Sequence, residues 1–363
     1  MIRKRQPTMN KSIWNKSIYV LIVLSFFTNS GFGQGIIIDH TCTDLGKVPD
    51  AWLNAAKSNI KLHYARRSHG GQLIVGIERM ADLSLPEYDP RLKFTRAEKK
   101  LPQASNLCIM DGQLHELYVI SDLYWRKGGD KYTRAALDAY PAINVSMFTW
   151  CTELGHYSEP YLRDAYLHTI EQLEKDYPQV TFIYCTGNAQ RTGEEGYVRY
   201  LRNEQIRKFC RDNNKILYDF GDLDAWYNGE QETYLYNGIQ VPREHPRYHG
   251  SETMHTTFES CVVKGKALWW MLARIAGWTP SECDYNSDGI ADRDDLIGKQ
   301  QDVLQNYDTW LQDCWKPSLG CGDFNRDGSI NHDDIEAKRK ALASELIVWM
   351  TDCDYNKKTI IKR

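Results

Sequence analysis

Nothing in this chain of 363 residues accumulates positive charge: 45 Lys and Arg stand against 48 Asp and Glu, a formal net charge of -3, and no basic run or patch dominates. That balance lacks the electrostatic footprint expected of a nucleic-acid binder or of a protein held on an anionic membrane. Also missing is any apolar run of the roughly 20 residues needed to cross a bilayer. The longest, Ile18 to Phe27, falls well short, so no membrane span is expected in the mature chain. His, Asp and Glu nowhere recur with the spacing of a transition-metal site, and the pair Asp39-His40 could be completed only by distant groups such as Glu252 and His255. What the chain has in quantity is core material, 42% hydrophobic and 12% aromatic, which excludes wholesale disorder and fits one large domain plus a small one.

A basic start (Arg3, Lys4, Arg5, Lys11, Lys16), the apolar run and the small residues Ser30, Gly31 and Gly33 read as an export signal over residues 1–34. The mature chain is expected to begin near Gln34 or Gly35 and to be secreted, at the cell surface or in a periplasm. Ten cysteines follow, an even number in a chain leaving the reducing cytosol, so disulfides are expected before thiolate chemistry.

The clearest internal organisation is a duplication. Cys283-Asp-Tyr-Asn-Ser-Asp-Gly-Ile290 is echoed by Cys321-Gly-Asp-Phe-Asn-Arg-Asp-Gly-Ser-Ile330, and Trp310-Leu-Gln-Asp-Cys314 by Trp349-Met-Thr-Asp-Cys353. Each copy is bracketed by cysteines, which suggests the pairs Cys283–Cys314 and Cys321–Cys353, with crossed pairing as the alternative. Asp284, Asn286, Asp288, Asp292 and Asp295 fall at positions 1, 3, 5, 9 and 12 of a twelve-residue loop, with the carbonyl of Ile290 at position 7 and Gly289 at the turn. The second copy offers Asp323, Asn325, Asp327, the carbonyl of Ser329, Asn331 and Asp334, with Gly328 at the turn. A hard cation needs six or seven oxygens wrapped about one point, and this spacing supplies them, so two Ca2+ sites are expected.

Pro280 precedes the first loop, and Pro317 with Gly320 the second, so the entering helices of an ordinary EF-hand are missing. Exit helices are expected at about 294–311 and 333–349. Loop, exit helix, loop, exit helix, with Asp at position 12, resembles the type I dockerin family over residues 280–353. The resemblance implies a small all-α calcium-binding attachment module with a cohesin-like or other surface receptor as partner. Where that family often carries a Ser/Thr pair for cohesin, this chain has Arg293-Asp294 and His332-Asp333. A basic tail, 354–363, follows.

Between residues 35 and 279 short apolar runs alternate with amphipathic stretches, which predicts an α/β domain with a parallel sheet and helices on both faces. Strands are expected from Ile60 to Tyr64, Leu117 to Ser121, Ala142 to Trp150, Val180 to Cys185 and Ile216 to Phe220. Helices are expected from Pro160 to Asp176, Tyr197 to Asn213 and Thr257 to Ala276. Ligands of such sheets sit beyond the carboxyl ends of the strands. Arg67-Ser68-His69-Gly70-Gly71 follows the first strand, Trp150-Cys151-Thr152-Glu153 follows the third, and Glu252-Thr253-Met254-His255 precedes the last helix.

This order resembles the SGNH (GDSL-like) hydrolases and their flavodoxin-like sheet. The resemblance implies Ser68 as nucleophile, His255 as its base and Glu252 as the carboxylate orienting the imidazole, while His249 and His69 compete with His255 for the base role. Gly70, Gly71, Thr152 and Asn188 are the oxyanion candidates it implies, and the reaction is hydrolysis of an ester, for example on an acylated polysaccharide. The chain departs from the family where Arg67-Ser68-His69 replaces Gly-Asp-Ser, Glu252 replaces Asp and Thr152 stands in place of Asn. Cys151 and Cys185, at the same ends of neighbouring strands, are expected to form a disulfide, with a thiol nucleophile as the alternative. A non-catalytic extracellular binding or assembly protein is the alternative function.

Overall fold

The computed structural model describes residues 35–281, 285, 293–313 and 322–353. The expected export segment 1–34, the tail 354–363, the expected first-loop ligands Asp284, Asn286, Asp288, Ile290 and Asp292, and Cys283, Cys314 and Cys321 lie outside the described residues.

Parallel strands covered on both faces need apolar side chains at consecutive positions, and β4 (Leu107–Asp111) and β5 (Val145–Thr149) are buried along their whole length. They belong to a seven-stranded sheet in the order β1 (Ile37–Ile38), β7 (Ile216–Tyr218), β6 (Thr181–Cys185), β5, β2 (Lys61–Arg66), β4, β3 (Phe94–Glu98), with every neighbouring pair parallel. The α/β class expected from sequence is therefore present, and the strand order is consistent with a flavodoxin-like sheet extended by an edge strand at each side.

One expected strand is corrected. Leu117 to Ser121 meets the sheet only through a bridge from Tyr118 to Arg66 and then coils into a short 3-10 turn. The neighbour of β2 is β4 instead, because its side chains are wholly buried whereas Tyr118 and Ile120 are exposed.

Helices α1 (Asp50–Asn59), α2 (Gly71–Ala81) and α8 (Phe258–Ile275) pack as one group, while α3 (Asp130–Ala139) meets α5 (His168–Asp176), and α5 and α6 (Gly193–Asp212) lie against β6. The contact of α2 with α8 is a backbone contact: a Cβ on Gly76 would lie 1.9 Å from the carbonyl oxygen of Cys261, and one on Gly265 would lie 2.8 Å from the Gly76 carbonyl carbon. The expected helix from Pro160 forms as α4 (Glu159–Tyr161), a π-helical stretch Leu162–Leu167 and α5, with Leu162, Tyr166, Ile170 and Leu173 buried as one stripe. Helix α8 starts where the Thr257 side chain accepts from the Ser260 N–H, an N-cap. Between β7 and α8 run α7 (Phe220–Ala225) and two small antiparallel pairs, β8 (Trp226–Tyr227) with β9 (Glu230–Gln231) and β10 (Thr233–Tyr236) with β11 (Ile239–Pro242).

Two further helices, α9 (Arg293–Asp313) and α10 (His332–Asp352), contact each other. Their aromatic contacts repeat: Tyr285 packs edge-on against Trp349, and Phe324 edge-on against Trp310. Lys299 lies over the Tyr285 ring and Lys338 over the Phe324 ring. Each copy of the repeat thus sets its loop aromatic against the tryptophan of the other copy. No helix among the described residues is long and apolar enough to cross a membrane.

The connection after β2 leads outward to β3 and β4, whereas the next strand added, β5, lies on the other side of β2. A crevice opens where connections diverge in this way, beyond the carboxyl ends of the two strands.

Candidate active site

Strand β2 ends at Arg66, whose guanidinium makes a bidentate pair with the buried Asp111 at the end of β4, at 2.6 and 2.8 Å. The chain then turns through Ser68 and His69 into α2. Gly70 allows the turn to lie against β5: a Cβ there would come within 1.9 Å of Thr149 Oγ1. Strand β5 delivers Cys151 to the same place. Its carbonyl accepts from Asn188 Nδ2 at 2.7 Å and its N–H donates to Glu153 at 3.1 Å. Asn188 is held in turn by the buried Arg199.

Ser68 Oγ lies 3.2 Å from Cys151 Sγ, and His69 Nδ1 lies 3.3 Å from the same sulfur. The other imidazole nitrogen, Nε2, is 2.7 Å from Gln190 Oε1. Gln190 Nε2 donates to Glu244 Oε1 at 2.9 Å and to the carbonyl of His255 at 2.6 Å. With both amide hydrogens committed to acceptors, the amide oxygen must face His69, so Nε2 carries the imidazole proton and Nδ1 is left to accept one from sulfur. The result is a continuous hydrogen-bonded chain from thiol through imidazole and amide to a buried carboxylate.

Burial opposes ionisation of Cys151, but hydrogen bonds from His69 and Ser68 and the charge on His69 outweigh it and bring the thiol down to about 7. Burial likewise disfavours the charged form of His69, yet the bonds to Cys151 and Gln190 raise its pKa. Glu244 is pushed up by burial and by the nearby Asp224.

The structure brings Ser68 and His255 into this neighbourhood but not into one chain with Glu252. The His255 ring stacks on His69 with centroids 5.0 Å apart, and burial and the neighbouring imidazole hold its pKa down. Glu252 accepts from the Phe258 N–H at 2.6 Å, at the start of α8. His255 and Met254 are the central residues of a tight turn closed by Thr253 and Thr256, both with positive φ, 68° and 44°. Two non-glycine residues in the left-handed region store strain. Glutamines tether both carbonyls, Gln72 that of Met254 and Gln190 that of His255.

Of the oxyanion candidates, Asn188 is engaged as described and the Gly71 N–H is used within the turn, bonding to the carbonyl of Ser68 at 2.9 Å. The Thr152 carbonyl accepts from Arg199. Gly70 keeps its N–H at the start of α2, without a protein acceptor among the described residues.

The expected Cys151–Cys185 disulfide is absent, and both thiols are free. The register of β5 on β6 pairs Met147 with Ile183, which sets Cys185 level with Thr149 rather than Cys151. That is an offset of about 6–7 Å along the strand, at roughly 3.3 Å per residue. Cys42, Cys108, Cys210 and Cys261 are also free and buried, and burial raises the thiols of Cys42, Cys185, Cys210 and Cys261.

Sequence reasoning missed Gln190 and Glu244. His69 is legible there as a competitor of His255 for the base role, but only the adjacency of β2 and β5 unites it with Cys151.

Asp39 and His40 do not meet Glu252 or His255. They converge with Asp222 at the far edge of the sheet, where His40 Nδ1 is 2.6 Å from Asp222 Oδ2 and the ring stacks on Trp226.

In the C-terminal loop, Asp323 accepts from the N–H groups of Asp327 and Gly328, and Asp334 from those of Asn325 and Asn331. Gly328 has φ +88°, the left-handed turn that position 6 requires. Asn325, Asp327, Ser329 and Asn331 lie on the same loop, so its donor set is entirely oxygen and suits a hard cation. Asp295, expected at position 12 of the first loop, is buried at the start of α9. Cys353 is disulfide-bonded, and its partner is not among the described cysteines.

No protein-family model matches the chain, and no curated protein matches it significantly in sequence.

Proposed function

We propose that this chain is an exported ester hydrolase of SGNH-like layout that works through a covalent acyl intermediate formed at the β2/β5 crevice. The observation that supports it most is the meeting, at one sheet switch point, of a hydroxyl and a thiol with an imidazole whose second nitrogen is held by Gln190. A nucleophile of this kind needs a base beside it and a third group that fixes the base's tautomer. In the serine form of the reading, Ser68 attacks and His255 with Glu252 assists after the strained turn rearranges. Gly70, Gly71, Thr152 and Asn188 are its candidates for holding the oxyanion.

An acylated saccharide is the proposed substrate class. A groove lined by Arg126, Lys127, His156, Tyr157 and Tyr161 starts at Glu153, beside Cys151, and the stacked rings of Tyr157 and Tyr161 offer an aromatic wall of the kind sugars use. The C-terminal helices and loops act as a calcium-dependent attachment module, with ligands Asp284, Asn286, Asp288, Ile290, Asp292 and Asp295 for one Ca2+. Asp323, Asn325, Asp327, Ser329, Asn331 and Asp334 hold the other. Its receptor is a cohesin-like or other surface protein.

The test is release of acetate from an acetylated oligosaccharide and of nitrophenol from p-nitrophenyl acetate by the mature protein with calcium present. Turnover lost in His69→Asn is the expected result. A folded, calcium-loaded protein that turns over neither ester while retaining affinity for the saccharide would replace this reading with that of a binding or assembly protein.

A further inference from the structure

We infer that Cys151, not Ser68, is the atom that carries the acyl group, with His69 as its base and Gln190 as the residue that positions His69. This inference rests on the acyl-transfer reading and deepens it.

The geometry separates the two nucleophiles. Ser68 Oγ touches only the sulfur, at 3.2 Å, whereas the sulfur also touches an imidazole nitrogen, at 3.3 Å. A serine hydroxyl without a base in reach is a poor nucleophile, while a thiol beside an imidazole is ionised without further help. The tautomer argument reinforces this: Gln190 Oε1 fixes the proton on Nε2, so the nitrogen facing Cys151 is the basic one. Cys-His pairs held by a side-chain amide at the second nitrogen recur on unrelated folds as nucleophiles.

Cys151 is also fixed in place by its own backbone, through Asn188 and Glu153. Cys151 as a whole residue is 8% exposed and His69 3%, so the pair is largely shielded from water. Ser68 is then a donor to the sulfur that stabilises its anionic form.

In the step, the Cys151 S–H proton passes to His69 Nδ1 and the thiolate attacks the ester carbonyl carbon. The carbon–oxygen bond to the leaving alcohol breaks, and the departing alkoxide takes the proton from His69. Water then adds to the thioester as His69 accepts its proton, and the carbon–sulfur bond breaks to return the thiol and release the carboxylic acid. No oxidant or cofactor enters the balance.

The experiment is acid quench of the mature protein during turnover of p-nitrophenyl acetate, followed by peptide mass mapping, in wild type, Cys151→Ser, Cys151→Ala and Ser68→Ala. Expected is an acetyl group on the Cys151 peptide, removed by neutral hydroxylamine, absent in Cys151→Ala and still acquired, more slowly, in Ser68→Ala. Acetyl found on Ser68, and persisting in Cys151→Ala, would overturn the inference while leaving the ester-hydrolase reading standing. A protein with no turnover at all would overturn that reading itself.

Alkylation by iodoacetamide supplies a readout independent of turnover. At pH 7 Cys151 should react about tenfold faster in wild type than in His69→Asn, because an ordinary thiol is only a few per cent ionised there. In Gln190→Ala the pH profile of alkylation should move upward. Equal rates and unmoved profiles in these variants would show that the imidazole does not activate the sulfur.

Discussion

A single buried imidazole in the middle of β2 links this fold to pH. His63 is fully buried, its Nδ1 bonded to Ser146 Oγ at 2.9 Å, and burial depresses its pKa to about 4. The unfolded chain protonates a histidine near 6.5, so above that pH the group is neutral in both states and contributes nothing to the pH dependence. As pH falls from about 6.5 to about 4, the unfolded state gains a proton that the folded state refuses, at a cost of roughly 3 kcal/mol over that window. Urea titrations at several pH values should show this loss, and His63→Gln should remove it from the difference between pH 7 and pH 4. The acid sensitivity unchanged in that variant would place its origin elsewhere. Residues of this kind were not readable in the sequence. His63 is one of ten histidines, and nothing in its neighbours marks it as core until β4 and β5 are known to flank it. The same holds for Cys151 and His69, which stand 82 positions apart and meet only because their strands pair.

At the scale of elements, the α2–α8 contact is the most exacting. Adding a methyl at Gly76 drives it into the Cys261 carbonyl, and backbone cannot step aside as a side-chain tip can. Gly76→Ala should therefore cost at least about 1–3 kcal/mol, as over-packing of close-fitted cores does. Gly155→Ala, whose Cβ would meet its nearest neighbour at 3.5 Å with no positive φ, should be close to neutral. Chemical denaturation of the two variants compares them directly, and equal stabilities would mean that the helices can part without penalty. Most elements could be foreseen: β5, β6 and β7 from their apolar runs, α6 and α8 from their periodicity, and α9 and α10 within a few residues of the expected exit helices. The run from Leu107 and the run from Leu117 look alike in composition, and choosing between them as the partner of β2 needs the partner itself. Strand β3, with Arg96 and Glu98 in it, carries the pattern of a surface segment, since it lies at the sheet edge.

The whole molecule joins an α/β domain to a duplicated C-terminal segment, and the proposed metal bears on the second. Each loop aromatic there leans on the other copy's tryptophan, so ions bound by the two loops should stabilise the pair together. Saturation at a hundred times the dissociation constant adds about 2.7 kcal/mol per site. Calorimetric scans should show a transition that rises with calcium and falls with chelator, and Asp323→Ala should leave one ion bound where wild type binds two, by equilibrium dialysis. An unchanged scan in chelator would remove calcium from the account. The duplication could be read directly from the sequence because a repeat needs no partner to be recognised. The proposed reacting centre could not, because it is a property of strand order. One consequence concerns how a preparation of this protein could be assayed. The six free thiols among the described residues are all buried, but burial holds those of Cys42, Cys185, Cys210 and Cys261 up while His69 and Ser68 bring Cys151 down to about 7, so a thiol reagent given one equivalent at neutral pH should find Cys151 ahead of the others described. The amount consumed would then count competent molecules, and with them the fraction of a sample correctly folded, before any substrate is known.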